Sequence, residues 1–198
     1  MAPIVPHCSR RRHGEPACTW HSGIVPHRLR PVTVRDAAEL AELLRRHREF
    51  LAPWEPLREE SYFTVAGQRA DIAAVLVRYE RGDAVPLVIL DDGTIAGRLT
   101  LNGVVRGPFQ SCSMGYWLAE DRTGRGLATQ AVQAAVSLAF SELGLHRVQA
   151  ETLTSNAASR RVLAKAGFQE YGLAPRYLKI AGVWQDHVMY QRLNEQSG

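Results

Sequence analysis

The sequence predicts an α/β (α+β) domain, and three features predict it. Helical and strand periodicities alternate along the chain, and an Asp-Gly pair joins two apolar strand-like runs. A glycine turn then leads from a strand into a long amphipathic helix. At 198 residues the chain suits one domain with one core.

LRPVTV (29–34) has strand character, and Asp36 is placed to cap a helix with Leu40, Leu43, Leu44 and Phe50 on its apolar face. APWEP breaks that helix, and a second covers 66–80, with Ile72, Val75, Leu76 and Tyr79 inward. PLVILDDGTIAGRLTLNGV reads as a hairpin, and CSMGYWLA (112–119) is the next strand. A helix from about 128 to 143 follows, then the strand HRVQAETL and the helix NAASRRVLAKAGF. Two strand-like runs, 168–180 and 183–193, close the chain around Ala181-Gly182. The resulting order is β-α-α-β-β-β-α-β-α-β-β, without internal repeats.

Residues 1–27 carry scattered Pro, Gly, His and Arg with no period, so a disordered leader is expected there and a folded domain over 28–198. His7, Cys8, His13, Cys18 and His21 form no CxxC or HxxxH pair, and no metal site is expected. The third cysteine is Cys112; an odd count with two members in the leader argues against a disulfide framework and for a reducing compartment. No apolar run approaches the roughly 18 residues of a membrane span. Nor does the start pair a basic region with an apolar stretch, so a cytoplasmic location is expected. The net charge of +4, from 22 Arg and 2 Lys against 20 acids, is too small to specify an acidic partner.

The chemistry concentrates at Thr123-Gly124-Arg125-Gly126-Leu127-Ala128. The helix that follows turns Val132, Ala135, Val136, Ala139, Phe140 and Leu143 inward. Its first turn presents backbone N–H groups without intrahelical partners, reinforced by the helix dipole. Glycines at 124 and 126 permit close approach of a ligand, so the turn suits a pyrophosphate, with Arg122 and Arg125 at its rim. No GxxxxGK[ST] string exists, and Thr129 stands where a dinucleotide fingerprint needs its third glycine. That leaves the pyrophosphate of coenzyme A, or a tight turn without a ligand.

Six strings in order resemble the GNAT acetyltransferase superfamily, and within it the RimJ/RimL group of ribosomal-protein-alanine N-acetyltransferases, the RimJ branch best. They are FLAPWEP (50–56), NGVVRGPF (102–109), GYWL (115–118), GRGLATQA (124–131), Asn156 and Ser159 before AGF (166–168), and YLKIAGVWQDHV (177–188). Thr123 departs from the Arg or Gln usual in that turn; backbone amides bind most of the phosphate, so little loss is expected.

The resemblance implies a mixed, mostly antiparallel sheet of about seven strands, splayed at its centre, with flanking helices. It implies acetyl-CoA as co-substrate and no metal. The pantetheine arm would pair with backbone around Trp117 and Leu118, and Gly124, Arg125, Gly126, Leu127, Ala128, Thr129 and Asn156 would hold the rest. It implies direct attack by an amine in a ternary complex. Ser159 would stand near the thioester sulfur as acid, and its alternative role is helix capping, as it is for Asn156. Glu151, five residues before Asn156, is the expected base, unless it is only a solvated strand carboxylate. Glu55, Asp186 and His187 are its rivals, and Trp54 with Glu55 would border the acceptor. The tyrosine acid of some superfamily members falls at Leu163, so that chemistry is absent. If Ser159 and Glu151 act as a pair, both should face one layer of the gap between the strands of Trp117 and Glu151.

The expected acceptor is the N-terminal amine of a protein beginning with Ala or Ser, a ribosomal protein being the natural target. Acetylation of a small amine such as an antibiotic or polyamine, and a non-catalytic coenzyme A-binding module, are the other two readings. No membrane or direct nucleic-acid partner is expected.

Overall fold

The computed structural model describes residues 28–195; the expected leader, its histidines and its two cysteines lie outside the described residues. The strands are β1 (Leu29–Pro31), β2 (Ala84–Asp91), β3 (Thr94–Val105), β4 (Ser111–Leu118), β5 (Arg147–Leu153), β6 (Gln169–Ile180) and β7 (Val183–Leu193). The helices are α1 (Ala37–Arg46), α2 (Arg48–Leu51), α3 (Val65–Glu80), α4 (Leu127–Ser141) and α5 (Ala157–Lys165). One mixed sheet runs β1-β2-β3-β4-β5-β7-β6, and every neighbouring pair is antiparallel except β4 with β5.

The turns follow from local chemistry. Asp92 (φ 48) and Gly93 (φ 82) are both left-handed, which an Asp-Gly pair tolerates and which matches the twist of the β2–β3 hairpin. Ala181 (φ 47) and Gly182 (φ 83) repeat this between β6 and β7. There the Ala181 N–H donates to the Glu55 carbonyl at 2.9 Å, which pins the hairpin tip to the loop after α2.

Two apolar layers sandwich the sheet. On one face α4 and α5 cover Val85, Leu87, Leu99, Leu101, Met114, Val148 and Ala150. The inward side of α4 is the expected one: Val132, Ala135, Val136 and Ala139 are buried, with Phe140 and Leu143 packed beside them. Each such aliphatic side chain removed from water contributes about 1.5–3 kcal/mol. On the other face α1 and α3 place Ala37, Leu40, Ile72 and Val75 against Ala84, Val88 and Ile95.

The parallel pair is short. Its register comprises Ser111↔Arg147, Cys112↔Val148 and Ser113↔Gln149. Beyond that point β4 continues to Leu118 and β5 to Leu153 without pairing to each other, which opens the sheet at its centre. Every other strand edge at this level stays paired: β4 with β3, and β5 with β7 along its whole length.

The start of the domain departs from expectation. β1 ends at Pro31, and a 3-10 turn over Val34–Asp36 precedes α1. Asp36 does not cap α1; its carboxylate reaches back to the Thr33 N–H (2.7 Å) and to both ends of the Arg30 guanidinium (2.8 and 2.8 Å). The first helix also ends at Arg46, with His47 as its C-cap, so Phe50 lies on α2. Burial alone would raise the Asp36 pKa, but the Arg30 and Thr33 hydrogen bonds outweigh it and hold it below its ordinary 3.8.

Asp36→Ala should therefore lower stability by about 1–3 kcal/mol in thermal or denaturant unfolding at neutral pH. A depressed carboxylate stabilises above its unfolded-state pKa. The difference between wild type and variant should thus be full at neutral pH and shrink as the pH falls below 3.8 toward the folded-state value. A pH-independent difference would show that the contact acts through packing alone.

Candidate active site

The glycine turn stands where β4 hands over to α4. Gly124 (φ 76) and Gly126 (φ 79) are left-handed, and Gly126 is the N-cap of α4. A side chain built at Gly124 meets nothing within 4 Å, and at Gly126 only the Gln130 amide at 4.0 Å, so open space fronts the turn. The first α-helical bond runs from Gln130 N to Gly126 O (3.1 Å), which leaves the N–H groups of Leu127, Ala128 and Thr129 ahead of the ladder. Arg125 does not reach over the turn. It pairs with Asp91 (3.6 Å) and donates to the Asp121 carbonyl (2.7 Å). Arg122 (3.0 Å) and Arg28 (3.2 Å) pair with the same Asp91, whose carboxyl the Arg122 bond, above all, holds below the usual range. Arg122 also stands 3.8 Å from Asp121, so three guanidinium groups face two carboxylates and a net positive charge remains among these five groups beside the turn. Open space, free donors and that charge fit a diphosphate.

The gap between β4 and β5 begins one strand away. Ala119 donates to the Ala96 carbonyl (2.8 Å), so by antiparallel alternation Trp117 spends its backbone groups on its partner Arg98. The N–H and C=O of Tyr116 and Leu118 then point across the gap. Of the expected pair Trp117 and Leu118, strand parity thus turns Leu118 toward the gap, together with Tyr116, while Trp117 faces β3.

The two candidate catalytic residues lie in opposite layers. Ser113 faces the α3 side with Asn102, its β3 partner, and its hydroxyl donates to Glu151 at 3.0 Å. Tyr116, Met114 and Cys112 face α4, and the Tyr116 hydroxyl meets the Ser159 hydroxyl at 2.9 Å. Ser159 and Glu151 therefore do not share a layer, contrary to the expectation that the two face one layer of the gap as a pair. Asn156 caps α5 by accepting from the Ser159 N–H (3.0 Å), so the cap and the candidate site are built from the same residues.

Glu151 is partly buried, and burial pushes its pKa up against the Ser113 hydrogen bond and nearby His187. His187 is buried and donates from Nδ1 to the Gln185 carbonyl (3.0 Å), with Tyr177 edge-on at 5.5 Å between ring centres. Asp186 is exposed and accepts from the Arg176 N–H (2.8 Å). Cys112 is buried, which pushes its thiol up to about 12.

A cavity of about 390 Å³ lies on the α3 face and is bounded by β4 through Gly115, Tyr116 and Trp117. Trp54 and Glu55 line it, as do Arg58, Tyr62, Asp71 and Arg98. Arg98, 8% exposed, pairs with Asp71 at 2.7 Å. Burial raises the Glu55 pKa against the attraction of Arg58 and Arg98. Sequence reasoning missed Arg98, though an arginine inside the apolar run IAGRLTL was a signal. It also missed Tyr116 and Ser113, whose roles depend on strand parity.

A family model for the acetyltransferase (GNAT) domain matches residues 27–169. The probable N-acetyltransferase YjcK of Bacillus subtilis is 38% identical over 168 residues, 84% of this chain and 93% of that protein. The [ribosomal protein uS5]-alanine N-acetyltransferase of Escherichia coli is 35% identical over 163 residues, 81% of this chain and 84% of the relative. Among solved structures, Mycobacterium smegmatis RimJ in complex with CoA-disulfide superposes with a TM-score of 0.83 at 35% identity, covering 85% of this chain and 82% of the other. The ribosomal-protein-S5-alanine acetyltransferase of Vibrio fischeri gives 0.81 at 31% identity, covering 86% and 94%. Split sheet, phosphate-ready turn and sequence likeness agree, and the chain belongs to the GNAT acetyltransferase family.

Proposed function

We propose that this acetyltransferase carries the acetyl group of acetyl-CoA to the N-terminal amine of a protein beginning with Ala or Ser. A ribosomal protein in the cytoplasm is the natural target, and the amine attacks directly in a ternary complex. One observation carries the reading: β4 borders the glycine turn on the α4 face and the charged cavity on the α3 face, with the gap between them. The likeness to a uS5-alanine N-acetyltransferase along most of its length supports the choice of acceptor.

The residues divide the work by face. The N–H groups of Leu127, Ala128 and Thr129, reached across Gly124 and Gly126, hold the pyrophosphate, with Arg125 contributing charge from its rim. Asn156 flanks the arm, and Leu118 and Tyr116 pair with it through their backbone. Trp54 and Glu55 receive the peptide on the α3 face, and Glu151 takes a proton there. Burial raises its pKa, which makes the carboxylate a stronger base than an exposed one. On the α4 face Ser159 donates to the departing sulfur. The buried Cys112 thiol supplies no thiolate for an acyl-enzyme, which supports direct attack.

Incubation with acetyl-CoA and a panel of peptides and small amines, read by mass, tests the assignment. Peptides starting with Ala or Ser should gain one acetyl group at the α-amine. Acetylation confined to polyamines or aminoglycosides would overturn it.

Gly126→Val should raise the acetyl-CoA Kd by about tenfold or more, equal to about 1.4 kcal/mol, in calorimetry. The left-handed backbone adds a stability cost of about 1–2 kcal/mol, so the variant is compared while folded. Unchanged affinity would remove the pyrophosphate from this turn.

Glu151→Gln should depress turnover most between the raised Glu151 pKa and the peptide amine pKa of about 7.7–8.0. In that window the wild-type carboxylate is ionised while the amine is mostly protonated. Above it the deficit should shrink, because the amine is already neutral. A deficit independent of pH would place the base elsewhere, with Glu55 and His187 next to be substituted.

A further inference from the structure

The hydroxyl of Ser159 has one neighbour that the reaction scheme leaves unused. Tyr116 reaches from β4 on the α4 side of the gap, and its hydroxyl lies 2.9 Å from Ser159 Oγ. The two side chains join β4 to α5 beyond the last paired residues, Ser113 and Gln149, where no backbone bond links β4 to β5. Tyr116 packs against the α4-side core, and its phenol is partly buried. Ser159 is fixed from behind: its N–H is held by Asn156 Oδ1 at 3.0 Å, which sets the first turn of α5. Both ends of the contact are thus placed by rigid elements.

Either hydroxyl of this pair can donate. A phenol with an ordinary pKa of about 10 is a far stronger donor than an aliphatic alcohol. Here burial raises the phenol to about 12 against the Ser159 hydrogen bond, so it keeps its proton throughout the working range of the enzyme. With the phenol, ordinarily the more acidic hydroxyl, taken as donor, Ser159 Oγ accepts. One lone pair of the serine is occupied, and its single proton is turned away from Tyr116. Accepting a bond also polarises the serine O–H, which makes it the better donor.

We infer that Tyr116 is a positioning residue that aims the Ser159 proton at the departing sulfur and supports the serine oxygen as that proton leaves. The inference rests on Ser159 acting as the acid. The amine nitrogen forms the C–N bond as the C–S bond breaks, and the bonding pair of C–S goes to sulfur. Sulfur takes the Ser159 proton. The serine oxygen, held by the Tyr116 O–H, regains a proton from water, and the surplus amine proton passes through Glu151 on the α3 face to solvent, where it neutralises the hydroxide so formed. Tyr116 changes neither charge nor covalent state.

The test is a double-mutant cycle in single-turnover acetyl transfer to an Ala-initiated peptide, with Tyr116→Phe, Ser159→Ala and both together. Tyr116→Phe keeps the ring and removes the hydroxyl alone. Each single variant should lose about tenfold or more in rate, with the acetyl-CoA Kd unchanged within about twofold. The double variant should be no slower than Ser159→Ala within about twofold, because the tyrosine acts through the serine. Wild-type rate in Tyr116→Phe beside a slow Ser159→Ala would overturn the inference, as would losses that multiply. Full activity in Ser159→Ala would instead overturn the assignment of the acid on which it rests. If Tyr116→Phe fails to fold, 3-fluorotyrosine at position 116 preserves shape and strengthens the donor. The single-turnover rate should then rise, and an unchanged rate would overturn the inference.

Discussion

A strand inside a sheet spends its N–H and C=O groups on two neighbours, and β4 loses one of those neighbours after Ser113. Unpaired backbone groups away from water carry a cost comparable to a lost hydrogen bond each, so an interior sheet edge demands a partner. Much of the molecule serves to hold that edge open. β3 stays paired to β4 through Leu118, and β7 stays paired to β5 through Leu153, so neither half closes on the other. α4, starting one short turn beyond β4, packs its apolar side across the sheet and fixes where the glycine turn stands relative to the opening. A ligand with amide groups along an extended arm completes the edge in the manner of an added strand.

The opening also sorts the chemistry by parity. Successive residues of β4 alternate between layers, so Ser113 joins the carboxylate side while Tyr116 joins the α5 side. Glu151 and Ser159 therefore stand in different layers on either side of the gap. Charge is graded in the same way. The α3 face gathers Glu55, Asp71, Arg58 and Arg98 around its cavity, whereas the turn gathers three arginines against Asp91 and Asp121.

Much of this was readable in the sequence. Strand-like runs located the strands after β1, Asp92-Gly93 marked the β2–β3 hairpin, and Val132, Ala135, Val136 and Ala139 marked the buried side of α4, while its buried Ala131 and Leu138 went unnamed. Two kinds of information were not readable. Competition for one carboxylate drew Asp36 away from α1 toward Arg30 and Thr33, although spacing alone made it a cap. Relative register was the other. Alternation shows that Glu151 and Ala150 face opposite ways, yet which of them shares a layer with Ser159 depends on how β5 aligns with β4 and on where α5 lands. Neither quantity is local, so the separation of Glu151 from Ser159 emerged only with the fold.

The burial of Cys112 has a consequence for the product rather than the reaction. Each turnover releases free coenzyme A, a thiol that readily enters disulfide exchange when it meets a second reactive sulfur. Cys112 projects from β4 into the α4 layer two residues before the strands part, close in sequence to where that thiol is formed. Held in its thiol form and packed among Met114, Val148 and the helices, it offers no sulfur nucleophile and no room for attack. The fold thus shields Cys112, the cysteine among the described residues, from disulfide exchange with the released coenzyme A.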